Sequence, residues 1–138
     1  MDFCPEARIG QPDKEGSGAM IKDKLIRVIL LDEAKDEFGK LNKIAGWQNA
    51  KGIDNSEEMQ LLNSIKAKIE LLKKNPFYGD NIPKRLIPKN YDVQNLWRLE
   101  LSHFWRALYT IKGDQIEIIC FILNIMNHKD YDKKFGYK

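Results

Sequence analysis

The stretch that decides the fold is residues 95–132, which read NLWRLELSHFWRALYTIKGDQIEIICFILNIMNHKDYD. It contains three runs of strand length, rich in aromatic and β-branched residues, a composition that is typical of β-strands. The predicted strands are Leu96–Leu101, Trp105–Ile111 and Gln115–Asn124, and a tight turn at Lys112–Asp114 joins the last two. The C-terminal third is therefore expected to form a compact antiparallel sheet.

The side-chain pattern of the first two predicted strands selects one register. A two-residue turn would pair Leu99 with Arg106 and mix apolar with charged positions on each face. A three-residue loop at Ser102–Phe104 instead pairs Leu99 with Ala107 and Glu100 with Arg106. This register predicts one apolar face, Trp97, Leu99, Ala107 and Tyr109, and one polar face, Arg98, Glu100 and Arg106.

The front half of the chain is predicted to be helical after one strand. Leu25–Leu31 is rich in β-branched residues and too short for a helix, so it is predicted to be a strand. Asp32 is expected to cap the first helix, which ends before a polar connection at Gly46–Asp54. Asn55–Glu58 has the spacing of a capping box. Apolar residues at helical spacing after it predict one buried stripe: Leu62, Ile65, Ile69 and Leu72. The second helix is expected to stop near Lys73–Asn75, because a proline follows.

Two further segments complete the predicted fold class, which is α+β. Lys84–Ile87 lies between two prolines and leaves room only for a short or edge strand. The tail after Met126 is too polar for core and is expected to be a short helix or an extension. The whole is an N-terminal strand and helical hairpin packed on a small antiparallel sheet.

Composition bounds the class of protein. Residues 1–19 are rich in glycine and proline and are expected to be a vector-derived or disordered leader, with the native start at Met20 and one domain over residues 20–138. No run approaches the roughly 18 apolar residues that span a bilayer. Cys120 lies in an apolar strand and is expected to be a free thiol in a reducing compartment, so cytoplasmic is the expected localisation.

Positive charge is concentrated in the second half of the chain. Residues 73–138 carry 12 Lys and Arg against 7 Asp and Glu, whereas residues 1–72 carry 11 against 13. The arginines predicted for the sheet lie in the basic half. This distribution favours an anionic partner, with RNA as the leading candidate.

Four segments stand in a characteristic order along the chain: Asn75–Gly79, Leu96–Arg98, Trp105–Tyr109 and the tail His128–Asp132. This order resembles the RelE/ParE superfamily of toxins from type II toxin–antitoxin systems, and the likeness covers roughly Leu25 to the end. The arginine–apolar–apolar–tyrosine strand is similar to that of YoeB-like and RelE-like members. The His-x-x-Tyr-Asp tail is similar to that of HigB-like members.

The resemblance implies an mRNA endoribonuclease, usually acting in the ribosomal A site, that needs neither a metal nor an organic cofactor. The RNA 2′-OH attacks the adjacent phosphate, and the protein assists the proton transfers and stabilises the developing charge. The implied partners are mRNA, the ribosome and a cognate antitoxin, which would dock on the helical hairpin or on the edge strand near Lys84–Ile87.

Site residues follow from the same resemblance. Arg106 matches the arginine that holds the scissile phosphate, His128 matches the tail general acid or base, and Tyr131 is expected to stack on a base or orient the nucleotide. Some members carry a catalytic glutamate near the position where this chain has Lys84 and Arg85. Three residues therefore stay open as the general base: Glu100, Lys84 and His128. The expected RNA contacts are Lys84, Arg85, Lys89, Arg98, Lys129 and Lys133.

Three other interpretations remain. In the first, Arg106 and Glu100 form only a surface ion pair, worth under about 1 kcal/mol. A ParE-like branch of the superfamily inhibits DNA gyrase without an RNase site. A detoxified relative would act only as a binding module.

Overall fold

A computed structural model describes residues 6–8, 24–114 and 117–136. Its elements in chain order are β1 (Glu6–Arg8), β2 (Leu25–Leu30), α1 (Asp32–Ala50), α2 (Glu57–Lys74), β3 (Asp80–Asn81), β4 (Trp97–Glu100), β5 (Arg106–Gly113), β6 (Glu117–Met126) and α3 (His128–Phe135). The strands form one sheet in the order β1-β2-β6-β5-β4-β3. The predicted α+β class is therefore confirmed.

The predicted register of the first hairpin is confirmed. Leu99 pairs with Ala107 and Glu100 with Arg106, and the loop between the strands is Ser102–Phe104. The turn predicted at Lys112–Asp114 was wrong in its first two residues, because β5 continues to Gly113. Its closing bonds join Asp114 to Glu117 instead, through the backbone and the Asp114 carboxylate.

The sheet is mixed, which corrects the expectation of a purely antiparallel one. β2 runs parallel to β6, with Leu25 opposite Glu117 and Leu30 opposite Ile122. Ile26 and Val28 of β2 are fully buried. β2 is thus an interior strand of the sheet, and other elements cover its apolar side chains.

The leader prediction falls mostly outside the described residues. Glu6–Arg8, within that segment, pairs antiparallel with residues 25–27 of β2. The predicted start at Met20 lies outside the described ranges.

One face of the sheet is covered by α1 and α2. Ser56 caps α2 by accepting a hydrogen bond from the Met59 N–H at 3.1 Å, and α2 ends at Lys74 as predicted. Its predicted apolar stripe is buried, as the positions three and four apart require: Leu62, Ile65, Ile69 and Leu72.

Helix α1 differs from the prediction at both ends. Asp32 is its first helical residue and Leu31 is the cap, without a side-chain hydrogen bond. The helix continues through Gly46 and Trp47 to Ala50, so the prediction that the connection between the two helices begins at Gly46 was wrong. A single glycine costs only about 1 kcal/mol within a helix, and α1 packs on α2 and β6. Trp47 lies on α1 with 60% of its surface exposed.

The opposite face carries a smaller core under α3 and the segment before β4. Lys84–Leu86 is a 3-10 turn, so the predicted strand there was wrong, and the edge strand is β3. Prolines at both ends favour the turn. The tail also contributes to this core, because Tyr131 is only 3% exposed. The members of the cluster are Ile82, Leu96, Leu108, Met126 and Tyr131.

Tyr109 fixes the turn between α2 and β3. Its buried hydroxyl donates to the Pro76 carbonyl at 2.8 Å and accepts from the Gly79 N–H at 3.0 Å. Gly79 has no room for a side chain, because a Cβ there would lie 2.6 Å from the Arg98 carbonyl oxygen. These contacts set where β3 meets β4.

The side chain of Asn95 continues the contact between β4 and β5 two residues beyond the last backbone pair, Trp97 with Tyr109. Its Oδ1 accepts from the Ile111 N–H at 2.8 Å and from the Thr110 hydroxyl at 3.0 Å. Its Nδ2 donates to the Ile111 carbonyl at 3.0 Å, and the Trp97 indole N–H also donates to Oδ1. The side chain thus satisfies strand groups that would otherwise lack a partner.

None of the helices in the described ranges is long and apolar enough to cross a bilayer.

Candidate functional site

Two arginines meet on the polar face of the first hairpin. Arg98 lies on β4 and Arg106 begins β5, and the side chain of Glu100 contacts both. Glu100 Oε2 lies 3.4 Å from Arg98 Nε, and Glu100 Oε1 lies 3.4 Å from Arg106 Nη1. The alternation of the strands places these three side chains on one face, as the sequence predicted.

Tyr131 from α3 packs beneath this pair. The centre of its ring lies 5.9 Å from the Arg98 guanidinium carbon and 5.3 Å from that of Arg106. Arg98 Nη1 also donates to the Tyr131 hydroxyl at 3.3 Å. Because the ring is 3% exposed and stacks on Phe135 at 4.5 Å, this tyrosine orients the arginines and has no free face for a nucleobase.

Asp80 is a member of the site that the sequence reasoning missed. Its Oδ2 lies 3.0 Å from Arg98 Nη2, and β3 brings it there by pairing Asp80 with Arg98 across the sheet. Partial burial acts to lower the pKa of Arg98, but hydrogen bonds to Tyr131 and Asp80 outweigh it and raise that pKa above its ordinary value. Arg98 is thereby held as a cation in a fixed orientation.

The loop Ser102–Phe104 forms the rim of the site. Arg106 Nη1 donates to the Phe104 carbonyl at 2.9 Å. The ring of His128 meets the ring of Phe104 edge-on, with 6.0 Å between centres. His128 is exposed at the start of α3. The structure thus brings all three residues predicted to be catalytic, Arg106, His128 and Tyr131, to one side of the sheet.

The other predicted RNA contacts form the surroundings of this site. Lys84 and Arg85 lie in the 3-10 turn, Lys89 follows it, and Lys129 and Lys133 lie on α3; all five are exposed. The segment before β4, which carries Lys84, Arg85 and Lys89, packs on the same small core as helix α3. Within the described residues none of the five forms an ion pair, so their charges are available to a polyanion.

The charge at the centre of the site is balanced. Two guanidinium groups face two carboxylates, of which Glu100 is 51% exposed and Asp80 is 62% exposed by side chain. A phosphate that binds Arg106 would have to displace or join Glu100, and the exposure of that carboxylate permits either. In the part of the chain that the structure describes, no cluster of three or more histidine, cysteine or carboxylate side chains is placed to hold a metal ion.

Comparisons of this chain with models of known protein families, with curated proteins and with solved structures give no match. The chemistry of the site is therefore derived from its own residues.

Two functional candidates escaped the sequence reasoning, Asp80 and Phe104. Asp80 is reached through a two-residue edge strand, which leaves almost no periodic signal. Phe104 was assigned to a loop, and nothing in its neighbours indicates that the ring points outward. For Asp80 the missing information was its tertiary contact with Arg98, and for Phe104 it was the contact of its ring with His128.

Proposed function

We propose that the protein is the toxin of a RelE/ParE-like toxin–antitoxin pair and cleaves mRNA at the face that carries Arg98 and Arg106. The observation that carries the proposal is the convergence of two oriented guanidinium groups on one face of the sheet, with Glu100 between them and His128 at the rim. A guanidinium fork matches two phosphate oxygens. The exposed lysines and Arg85 around the site would attract the RNA backbone.

The reaction that suits these groups is transfer within the RNA itself. The 2′-oxygen forms a bond to the adjacent phosphorus while the bond to the 5′-oxygen breaks, leaving a 2′,3′-cyclic phosphate and a 5′-hydroxyl. Arg106, aided by Arg98, would stabilise the extra negative charge of the pentacoordinate phosphate. One group must accept the 2′-OH proton and another must protonate the leaving 5′-oxygen.

Two residues at the site suit the proton transfers. Glu100 is a half-exposed carboxylate between the arginines, and His128 is an exposed imidazole at the rim. Lys84, the third candidate for the base, lies in the 3-10 turn and forms no ion pair with Glu100 or Asp80 within the described residues. We therefore assign the base to Glu100 and the acid to His128 within this proposal.

The proposal extends to partners and place of action. A toxin of this kind acts on mRNA at the ribosome in the cytoplasm, and an antitoxin must hold it inactive. The exposed side chains Ile44, Trp47 and Ile53, at the tip of the helical hairpin, offer an apolar surface for an amphipathic segment.

One observation favours a second function, a non-catalytic binding module of the same fold. Both arginines already pair with carboxylates and pack on a buried tyrosine, which is how a purely structural network would look. Such a module would bind a partner without cutting RNA.

The deciding experiment is a reconstituted translation reaction with a defined mRNA, in which new 5′ ends are mapped with and without ribosomes. The variant is Arg106→Gln, and the control is Lys43→Gln, which removes one positive charge from an exposed position on α1, on the other face of the sheet. Loss of one group that stabilises the transition state typically costs about 10²–10³-fold in rate. We expect that loss for Arg106→Gln and under about threefold for the control.

Three outcomes separate the functions. Cuts that need ribosomes and disappear in Arg106→Gln support the proposal, and cuts on free RNA would keep the nuclease without the ribosome. No cuts by a folded wild-type protein would overturn the nuclease and favour the binding module or a gyrase inhibitor. Circular dichroism of each variant checks that it is folded.

A further inference from the structure

Phe104 is the most exposed large apolar side chain among the described residues, at 70%. It also has a backbone conformation that residues other than glycine rarely adopt. His103 and Phe104 are consecutive residues with positive φ, 58° and 64°. Such a conformation costs on the order of 1 kcal/mol or more per residue. A strained loop that presents a hydrophobic ring to water calls for a functional reason.

The loop is held in this conformation by specific contacts. The Leu101 N–H donates to the Trp105 carbonyl at 2.8 Å, which closes the loop at its base. The His103 Nε2 lies 2.9 Å from Gln60 Oε1 on α2, and the Ser102 N–H donates to Ser64 Oγ at 3.2 Å. Because α2 fixes the loop from behind, the Phe104 ring is a preorganised group.

The surroundings of the ring indicate its use. Its own carbonyl accepts a hydrogen bond from Arg106, the residue assigned to the phosphate, and its ring edge contacts His128. A phosphate held by Arg106 therefore carries its nucleoside beside the Phe104 ring. Tyr131 cannot serve this purpose, because its ring is buried between the arginines and Phe135.

We propose that Phe104 is the platform on which a nucleobase stacks when Arg106 holds the neighbouring phosphate of single-stranded RNA. This inference rests on the proposed function and adds the residue that positions the nucleotide. Stacking on an aromatic ring does not depend on the identity of the base. The platform therefore confers affinity and orientation with little sequence preference.

The test is binding of a short single-stranded RNA in which 2′-O-methyl groups block cleavage and one base is 2-aminopurine. Affinity is measured by fluorescence anisotropy with a terminal dye, and stacking is measured as quenching of 2-aminopurine in an unlabelled oligonucleotide. Phe104→Asn removes the ring but tolerates the left-handed backbone, and Phe104→Trp retains a ring. Phe77→Ala is the matched control, because Phe77 is also an exposed aromatic, 46%, and lies in the turn before β3.

We expect Phe104→Asn to weaken binding by about 5- to 150-fold, the range for one aromatic–base stack. It should also abolish the quenching. Phe104→Trp should retain both signals, and Phe77→Ala should bind as the wild type does.

Two results would overturn the platform, and they differ in what they say of the proposed function. Unchanged affinity and quenching in Phe104→Asn, with RNA bound by the wild type, would remove the platform and leave the RNA site standing. No binding by the wild type at tens of micromolar would also reject the platform. The mapping of 5′ ends described above would then decide separately whether the protein is a nuclease.

Discussion

The Tyr109 hydroxyl holds the turn between α2 and β3, and this turn places Asp80 beside Arg98. Removing the hydroxyl therefore tests how much this turn depends on its two hydrogen bonds. Tyr109→Phe keeps the ring and creates no cavity, but it deletes the bonds to the Pro76 carbonyl and the Gly79 N–H. A net hydrogen bond is worth about 0.5–1.5 kcal/mol, and a buried group left without a partner costs about 1–3 kcal/mol. We therefore expect a loss of about 2–4 kcal/mol in the free energy of unfolding.

The assay is urea unfolding followed by circular dichroism, together with a thermal scan. For a chain of this size, each kcal/mol corresponds to roughly 3–5 °C, so the midpoint should fall by about 6–20 °C. Tyr78→Phe is the matched control, since its hydroxyl is exposed and contacts only Lys68 Nζ at 3.4 Å within the described chain. That variant should stay within about 0.5 kcal/mol of the wild type.

The same residue predicts a dependence on alkaline pH. Burial raises the pKa of Tyr109 above its ordinary value, so the folded protein keeps the proton where the unfolded chain has lost it. The wild type should therefore lose stability as the pH rises above about 10, the pKa of an unperturbed tyrosine. Tyr109→Phe should show a smaller alkaline loss. A Tyr109→Phe protein as stable as the wild type at neutral pH would refute the assignment of the turn to this hydroxyl.

Other predictions concern the support of the sheet and helices. Asn95→Ala removes four hydrogen bonds to β5 and its neighbour, and we expect a loss of about 2–3 kcal/mol in urea unfolding; a loss below about 0.5 kcal/mol would contradict the role assigned to its amide. The hydrogen bond from Gln48 lowers the pKa of Glu58. The wild type should therefore lose stability as the pH falls through that pKa, and Glu58→Gln should lose less. Urea unfolding at a series of acid pH values measures the difference. Burial raises the pKa of Cys120 to about 12. In a Cys4→Ser variant, which leaves Cys120 as the single thiol of the sequence, Ellman's reagent should therefore react only as fast as the protein unfolds. Rapid labelling of the native protein would contradict this burial.

The sequence predicted what local periodicity and chemistry determine. The β4–β5 register followed from the alternation of apolar and charged residues around a loop of fixed length, and the buried stripe of α2 followed from helical spacing. Both signals are contained within a few neighbouring residues. The face that carries the arginines could be derived for the same reason.

What the sequence did not predict depended on contacts between distant segments. Tyr131 has polar neighbours, so its burial becomes visible only when α3 is seen against the arginines. The extension of α1 through Gly46 depends on packing against α2, which outweighs the local cost of glycine. Asp80 joined the site through a strand of two residues, too short for any pattern.

The parallel pairing of β2 with β6 has a consequence for how the chain acquires its structure. Leu25 meets a partner that is about 90 residues later in the chain, and loop closure over such a distance slows folding. During synthesis from the N-terminus, β2 and the helical hairpin must wait for β6, and α3 comes later still. The arginines gain their tyrosine support only after α3 has been synthesised, because Tyr131 lies on that helix. The arginine cluster is therefore completed only after all the strands that the structure describes have been made.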